Sequence, residues 1–300
     1  MKTPEGENDQ DIVMSLERIG VRYRHRAGPL RRVRRDALRE VSFELRRGES
    51  LGVVGSNGAG KSTVLKVMSG GVRPDRGELV NKARSTALLS SSLGLDGTRT
   101  GRQNAVLCAL SMGFRRDEIE RSLGEIIAFS ELGGFIDYPL RTYSTGMRSR
   151  LTFSVVIQLD PDVLLVDEML SAADPQFQRR IRAELERRVA SSRSVVLVSH
   201  DSEPIRELSH RVLWLEDGRS LLVGDPEDVV RAYESYMALN PEAQRFFLSM
   251  HRQLDEAAPG DELPTRLQEA IEALAGRDSR HPEAGAAGFR GGTGPAPENS

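Results

Sequence analysis

The chain has 300 residues, with 42 Lys plus Arg against 44 Asp plus Glu, a formal net charge of −2, 38% apolar and 29% charged residues. That is about two domains' worth of chain with material for a real core, too polar for a membrane protein, and without the overall field that would hold nucleic acid or an anionic membrane. No apolar run approaches the roughly 18 residues of a spanning helix, and the polar start MKTPEGENDQD reads as no signal peptide. The lone Cys108 excludes an intrachain disulfide and a cysteine-built zinc site, so the expectation is a soluble protein of a reducing compartment.

In chain order, residues 1–10 read as a flexible polar end, and residues 11–235 carry every strong motif. Val41-Ser42-Phe43-Glu44-Leu45 alternates, which predicts a half-exposed antiparallel strand. Leu51–Val54, Val163–Val166 and Val195–Val198 are instead continuously apolar, as strands covered on both faces of a parallel sheet are. Thr86–Leu89 is a further strand, and about 98–159 is helical throughout. Arg211–Leu215 and Leu221–Val223 flank Glu216-Asp217-Gly218-Arg219, which predicts a hairpin with a glycine turn and a packed Trp214. The expected fold is therefore α/β: a mixed, mainly parallel sheet with an inserted helical subdomain at about 98–159 and a small antiparallel part.

Residues 55–62 read Gly-Ser-Asn-Gly-Ala-Gly-Lys-Ser and fit G-x-x-x-x-G-K-[ST], between a strand and a helical pattern. Glycines let the backbone curl so that its N–H groups point at phosphate oxygens, and the helix start adds its partial positive charge. Lys61 is expected to reach the β- and γ-phosphates and Ser62 to ligate Mg²⁺. Strand 163–166 ends in Asp167 and Glu168, at the edge where ligands of such sheets bind. Asp167 is expected to hold Mg²⁺ through water, and Glu168 to act as general base toward a water attacking the γ-phosphate. No guanine-reading N/T-K-x-D element is present, which argues against a switch GTPase. A second helix start, Tyr143-Ser144-Thr145-Gly146-Met147, has Ser144 as natural N-cap ahead of an apolar stripe at Met147, Leu151, Val155 and Leu159.

The phosphate loop, Tyr143–Met147, Asp167-Glu168, Asp174 and Val198-Ser199-His200-Asp201 come in the order of the ABC ATPases. The chain resembles that family over about residues 11–235, which implies a P-loop NTPase core and ATP with Mg²⁺ as cofactors. The YS[ST]GM form of its signature, with Leu93-Gly94-Leu95, Thr100–Asn104, Arg141-Thr142-Tyr143 and Asp174–Phe177, is similar to one subgroup: ATPase subunits of ABC-2-type exporters of O-antigen, capsule or teichoic acid. The resemblance implies that Tyr23, as the aromatic of the first loop, stacks on adenine. It also implies that Gly55, Ser56, Asn57, Gly58, Ala59, Gly60, Lys61, Ser62 and Thr63 wrap the phosphates. By the same resemblance Ser144, Thr145 and Gly146 face the γ-phosphate held by another protomer, Asp174 supports the dimer contact, and His200 contacts the γ-phosphate. One departure stands out: the family's glutamine after the strand at 86–89 is replaced by Ser90-Ser91-Ser92. Gln103 lies too far along to substitute for it.

Neutralising the γ-phosphate from several sides needs more than one chain supplies, so a second copy is expected head to tail, sandwiching two nucleotides. A clamp that loosens on hydrolysis moves cargo only through a membrane span, which this sequence lacks. A separate integral-membrane permease is therefore implied, with this chain held by it at the cytoplasmic face of the cell membrane. The rivals are an ABC exporter of lipid, drug or peptide and a non-transport ABC protein. The latter usually carries two cassettes in one chain or a long coiled-coil insert, and neither is found. Ten arginines between Arg22 and Arg47 read either as a solvated basic loop or as a contact for lipid head groups or an anionic substrate. Residues 236–276 form a helical extension. In it Asn240-Pro241 starts a helix whose Phe246, Phe247, Met250 and Leu254 make one apolar face. A second helix carries Leu263, Leu267, Ile271 and Leu274. No glycan-binding β-sandwich is expected there, and 277–300, rich in Gly, Ala and Pro, reads as a disordered tail.

Overall fold

The computed structural model describes residues 11–26, 32–89, 95–167, 175–191, 193–199 and 201–257, with 267, 269–271 and 274. The expectations for 1–10, Ser90–Ser92, Glu168, Asp174, His200 and 277–300 lie outside the described residues. By contacts the chain divides into two compact units, residues 1–233 and 234–300.

In the first unit nine strands form one sheet in the order β4-β1-β2-β9-β8-β3-β7-β6-β5. Strands β1 (Ile12–Arg26), β2 (Arg32–Arg46) and β4 (Arg76–Asn81) make the antiparallel part. The parallel part is β3 (Ser50–Val54), β5 (Thr86–Leu89), β6 (Val163–Asp167), β7 (Ser194–Val198) and β8 (Arg211–Glu216). Strand β9 (Arg219–Gly224) turns back antiparallel to β8. Its turn uses Asp217 and Gly218 at φ +47° and +73°, the left-handed pair that a tight hairpin requires. The Gly218 carbonyl accepts from Arg39 N at 2.8 Å and Glu40 N at 3.1 Å, joining the antiparallel part to the rest.

The basic stretch is not a loop where it is described. Residues 32–46 are strand, and Val41, Phe43 and Leu45 are buried while Ser42 and Glu44 are exposed, the alternation of a strand with one wet face. Arg22 pairs with Asp36 at 2.5 Å, and this hydrogen bond holds the Asp36 carboxyl below the usual carboxylate range.

The central strands are buried on both faces. Leu51, Val53, Val163, Leu165, Val196, Val198, Leu213 and Leu215 share a core with α1 (Lys61–Met68) and with the inner residues of β1 and β2. Full burial of Val64, Leu65, Val67 and Met68 on α1 contributes about 1.5–3 kcal/mol each. On the opposite parity, Gly52 lies against Ile205 of α6 (Ser202–Leu208), and Trp214 packs edge-on at 6.1 Å against Tyr233 of α7 (Pro226–Met237).

The inserted helices have a separate core. Helices α2 (Gly101–Ser111), α3 (Arg116–Ser130) and α4 (Thr145–Gln158) surround Ala105, Ile119, Ile126, Leu140, Leu151 and Val155. Cys108 is part of it, and burial pushes its thiol up to about 12, so it stays protonated. Asn104 locks the start of α2. Its Nδ2 donates to the carbonyls of Asp96, Arg99 and Thr100 at 2.9, 3.2 and 2.9 Å. Gln103 completes a capping box with Thr100, so its side chain is engaged in holding α2.

In the second unit α8 (Pro241–Ala257) starts as expected, with Asn240 Oδ1 accepting from Glu242 N at 2.9 Å and Ala243 N at 2.8 Å. The expected apolar face is corrected: Phe247 is buried beside Tyr236, but Phe246 is 51% exposed. Consecutive helical residues point about 100° apart, and on α8 the buried face takes Phe247 and leaves Phe246 at its edge. Leu267, Ile271 and Leu274 are buried.

Candidate functional site

Strand β3 delivers the chain to the carboxyl edge of the sheet, where Gly55 opens the loop at φ +154°. A Cβ there would run into the Leu215 carbonyl, so the loop can start only with glycine. It ends at Gly60, the N-cap of α1, at φ +114°, where a Cβ would sit 2.8 Å from the Ala37 carbonyl. This left-handed cap makes no side-chain hydrogen bond to the helix start. The first N–H groups of α1 are thus the kind a phosphate satisfies.

Lys61 is 6% exposed, and its Nζ donates to the carbonyls of Gly55 at 2.6 Å and Ser56 at 3.1 Å. The cation is thereby held inside the curl formed by Gly55, Ser56, Asn57, Gly58, Ala59 and Gly60. Ser62 Oγ donates to Asp167 Oδ1 at 3.2 Å, which joins the loop to the end of β6 across 105 residues. A hydroxyl and a carboxylate are hard oxygen donors of the kind Mg²⁺ takes beside phosphate oxygens and water. Among the described residues no cluster of three or more His, Cys, Asp or Glu could hold a metal. The donor set fits an ion that uses few protein ligands. Strand β7, which leads toward His200, lies between β3 and β6, with Val198 in register with Asp167.

Tyr23 is on strand β1, not in a loop. It is half-buried against the core and in register with Arg35 of β2. The Arg35 guanidinium reaches to 3.2 Å from where a Gly58 Cβ would be. Tyr23 and the phosphate loop thus flank the same arginine, a cation that the sequence reading missed. Glu216 was missed too. It ends β8, is 6% exposed, and accepts from Ser56 N at 3.1 Å and from Ser56 Oγ. Its signal was present: β8, like β6, is an apolar strand ending in an acid at the same edge. Replacing Glu216 with alanine is expected to loosen the start of the loop and weaken ATP binding about tenfold or more, the lower part of the 1.5–3 kcal/mol of hydrogen bonds to a charged group. Calorimetric titration checks this. Glu216→Gln, which keeps an acceptor, should recover most of the affinity, and unchanged affinity in Glu216→Ala would remove the anchor.

Ser144, Thr145 and Gly146 begin α4, where Ser144 Oγ accepts from Met147 N at 3.2 Å. Tyr143 before them is a packing residue. Its Oη donates to the Phe135 carbonyl at 2.6 Å, and a side chain on Gly101 would collide with it. Burial pushes the Tyr143 phenol up, so it stays neutral and a donor.

Residues 38–171 match the ABC transporter family model. The O-antigen export system ATP-binding protein RfbB of Klebsiella pneumoniae is 37% identical over 202 residues, 67% of this chain and 82% of that protein. The chain belongs to the ABC transporter family. The teichoic acids export ATP-binding protein TagH of Lactococcus lactis is 36% identical over 238 residues, 79% of this ABC chain. The match spans only 49% of that longer protein. The ABC transporter protein AbcA of Aeromonas salmonicida is 38% identical over 211 residues, 70% of this chain and 68% of that one. The fold matches an ATP-binding subunit of an ABC transporter with TM-score 0.61 and 21% identity, covering 74% of this chain and 93% of the other. It also matches a cassette solved as a dimer in a post-hydrolysis state with ADP and phosphate, at TM-score 0.59 and 20% identity, over 71% of this chain and 98% of that one.

Proposed function

We propose that this ABC protein is the ATP-hydrolysing subunit of an ABC-2-type exporter. It moves a polysaccharide or lipid-linked glycan across the cytoplasmic membrane with a separate permease. The observation that carries the reading is the match over most of the length of an O-antigen export ATP-binding protein, with teichoic acid export proteins beside it. Among the described residues no helix is long and apolar enough to cross a membrane, so the span is assigned to a partner at whose cytoplasmic face this chain sits.

In this reading Tyr23 stacks on adenine and residues 55–63 wrap the triphosphate, with Arg35 beside them. Lys61 leaves the two loop carbonyls for the β- and γ-phosphate oxygens, exchanging neutral acceptors for charged ones. Ser62 and, through water, Asp167 would hold Mg²⁺, which would supply positive charge against the phosphates. Glu168 takes the proton of the attacking water, and His200 contacts the γ-phosphate. Ser144, Thr145 and Gly146 at the start of α4 close on the γ-phosphate of the second copy. Asp174 supports the contact between the copies.

Deleting the gene from its own organism tests the export assignment. Surface polysaccharide should vanish while glycan accumulates inside, and wild type but not Lys61→Ala should restore it. Intact surface glycan with loss of another exported lipid, drug or peptide would move the protein to a different ABC exporter.

A further inference from the structure

Glu131 is the C-cap of α3 and sits at φ +53°, a left-handed position where glycine is the usual occupant. Its carboxylate joins two arginines from different helices. Arg150 of α4 binds it through Nη1 at 2.9 Å, and Arg180 of α5 (Pro175–Ala190) binds it through Nη1 as well. The two arginines lie on a stack of aromatic rings. Arg180 stands 4.5 Å over the Phe129 ring and 5.9 Å over Phe177, and Arg150 stands 5.3 Å over Phe177. Phe177 is itself edge-on to Phe129 at 5.9 Å and to Phe153 at 6.1 Å.

This joint lies between two pieces of the proposed catalytic machinery. Arg150 is on the helix that Ser144 caps, about 9 Å along its axis at 1.5 Å per residue. Arg180 is on the helix entered directly after segment 168–174, which contains Glu168 and Asp174. The inserted helices have their own core, and α4 also packs on β5 and, through Phe153, on Phe177 of α5. Charge-assisted bonds and cation–π contacts on rigid rings fix an angle better than aliphatic packing does, because both are directional.

We propose that Glu131, with Arg150 and Arg180, is a positioning joint for ATP hydrolysis. It makes α4 and α5 move as one body, so that closure of the second copy on the γ-phosphate is passed from the Ser144 helix to the helix that follows Glu168 in the chain. The proposal rests on the ATPase reading above. None of its three residues is among those assigned to the nucleotide, so the joint acts on turnover and cooperativity and leaves binding alone.

The test uses the full chain, with ATPase kinetics and calorimetric ATP binding measured for each variant. Glu131→Ala and Arg180→Gln are expected to lower kcat about tenfold and bring the Hill coefficient toward 1, with the ATP dissociation constant within twofold of wild type. Arg180→Lys, which keeps the cation over Phe129, should retain at least half of kcat. The double variant should be no slower than either single one, as for residues that act as a unit. Unchanged kcat, a matching loss of affinity, or multiplicative effects in the double variant would overturn the joint. Should Glu131→Ala fail to fold, the Arg180→Gln and Arg180→Lys pair decides alone. A wild-type chain without any turnover would instead fail the ATPase reading itself.

Discussion

Replacing Lys61 with alanine is expected to weaken ATP binding at least a hundredfold and remove measurable hydrolysis. The ammonium is nearly buried and makes two bonds to loop carbonyls, at 2.6 and 3.1 Å, so it is pre-placed inside the curl. Its bonds to phosphate are charge-assisted and contribute about 1.5–3 kcal/mol each. Losing two of them is about 3 kcal/mol or more, a factor above one hundred in affinity. The fold should survive, because α1 is held by Val64, Leu65, Val67 and Met68 in the core rather than by the lysine. Calorimetry with Mg-ATP reads the effect directly, and near wild-type affinity would contradict the loop assignment.

Glu168→Gln is expected to behave in the opposite way. Glutamine is close to glutamate in size and cannot take a proton. ATP should bind as in wild type while turnover falls about 10²–10⁴-fold, the usual contribution of a general base. The neighbouring Asp167 already faces Ser62 at 3.2 Å, where it is suited to the metal, which leaves the base role to the next acid. Phosphate release under saturating Mg-ATP measures the rate. Hydrolysis at the normal rate would remove Glu168 from that role.

The parts legible in the sequence are those built from contiguous residues. The apolar runs at 51–54, 163–166 and 195–198 are the fully covered strands, because a strand wet on neither face has no polar positions. The loop 55–62 is readable because its glycines, lysine and serine do their work within eight positions. The hairpin 211–224 announces itself through Asp217-Gly218. What escaped depends on distant contacts: Glu216 meets Ser56 across 160 residues, Arg35 meets Gly58 only because β1 and β2 fold over the loop, and Glu131 gathers arginines from two other helices. Tyr23 was placed in a loop by the family resemblance alone, although Val21-Arg22-Tyr23-Arg24 alternates as a strand with one wet face does. Phe246 was placed on the apolar face because two adjacent phenylalanines look alike in sequence, while α8 buries only Phe247.

The account depends on two copies closing over two ATP molecules, each held by one chain's Lys61 loop and covered by the other's Ser144 helix. The most direct measurement is the solution mass of the Glu168→Gln variant with saturating Mg-ATP, by light scattering on a sizing column. The account predicts twice the 33.1 kDa chain mass, reverting to one chain when Ser144→Arg is added. A mass that stays at one chain with ATP bound, or a dimer that Ser144→Arg leaves intact, would contradict it.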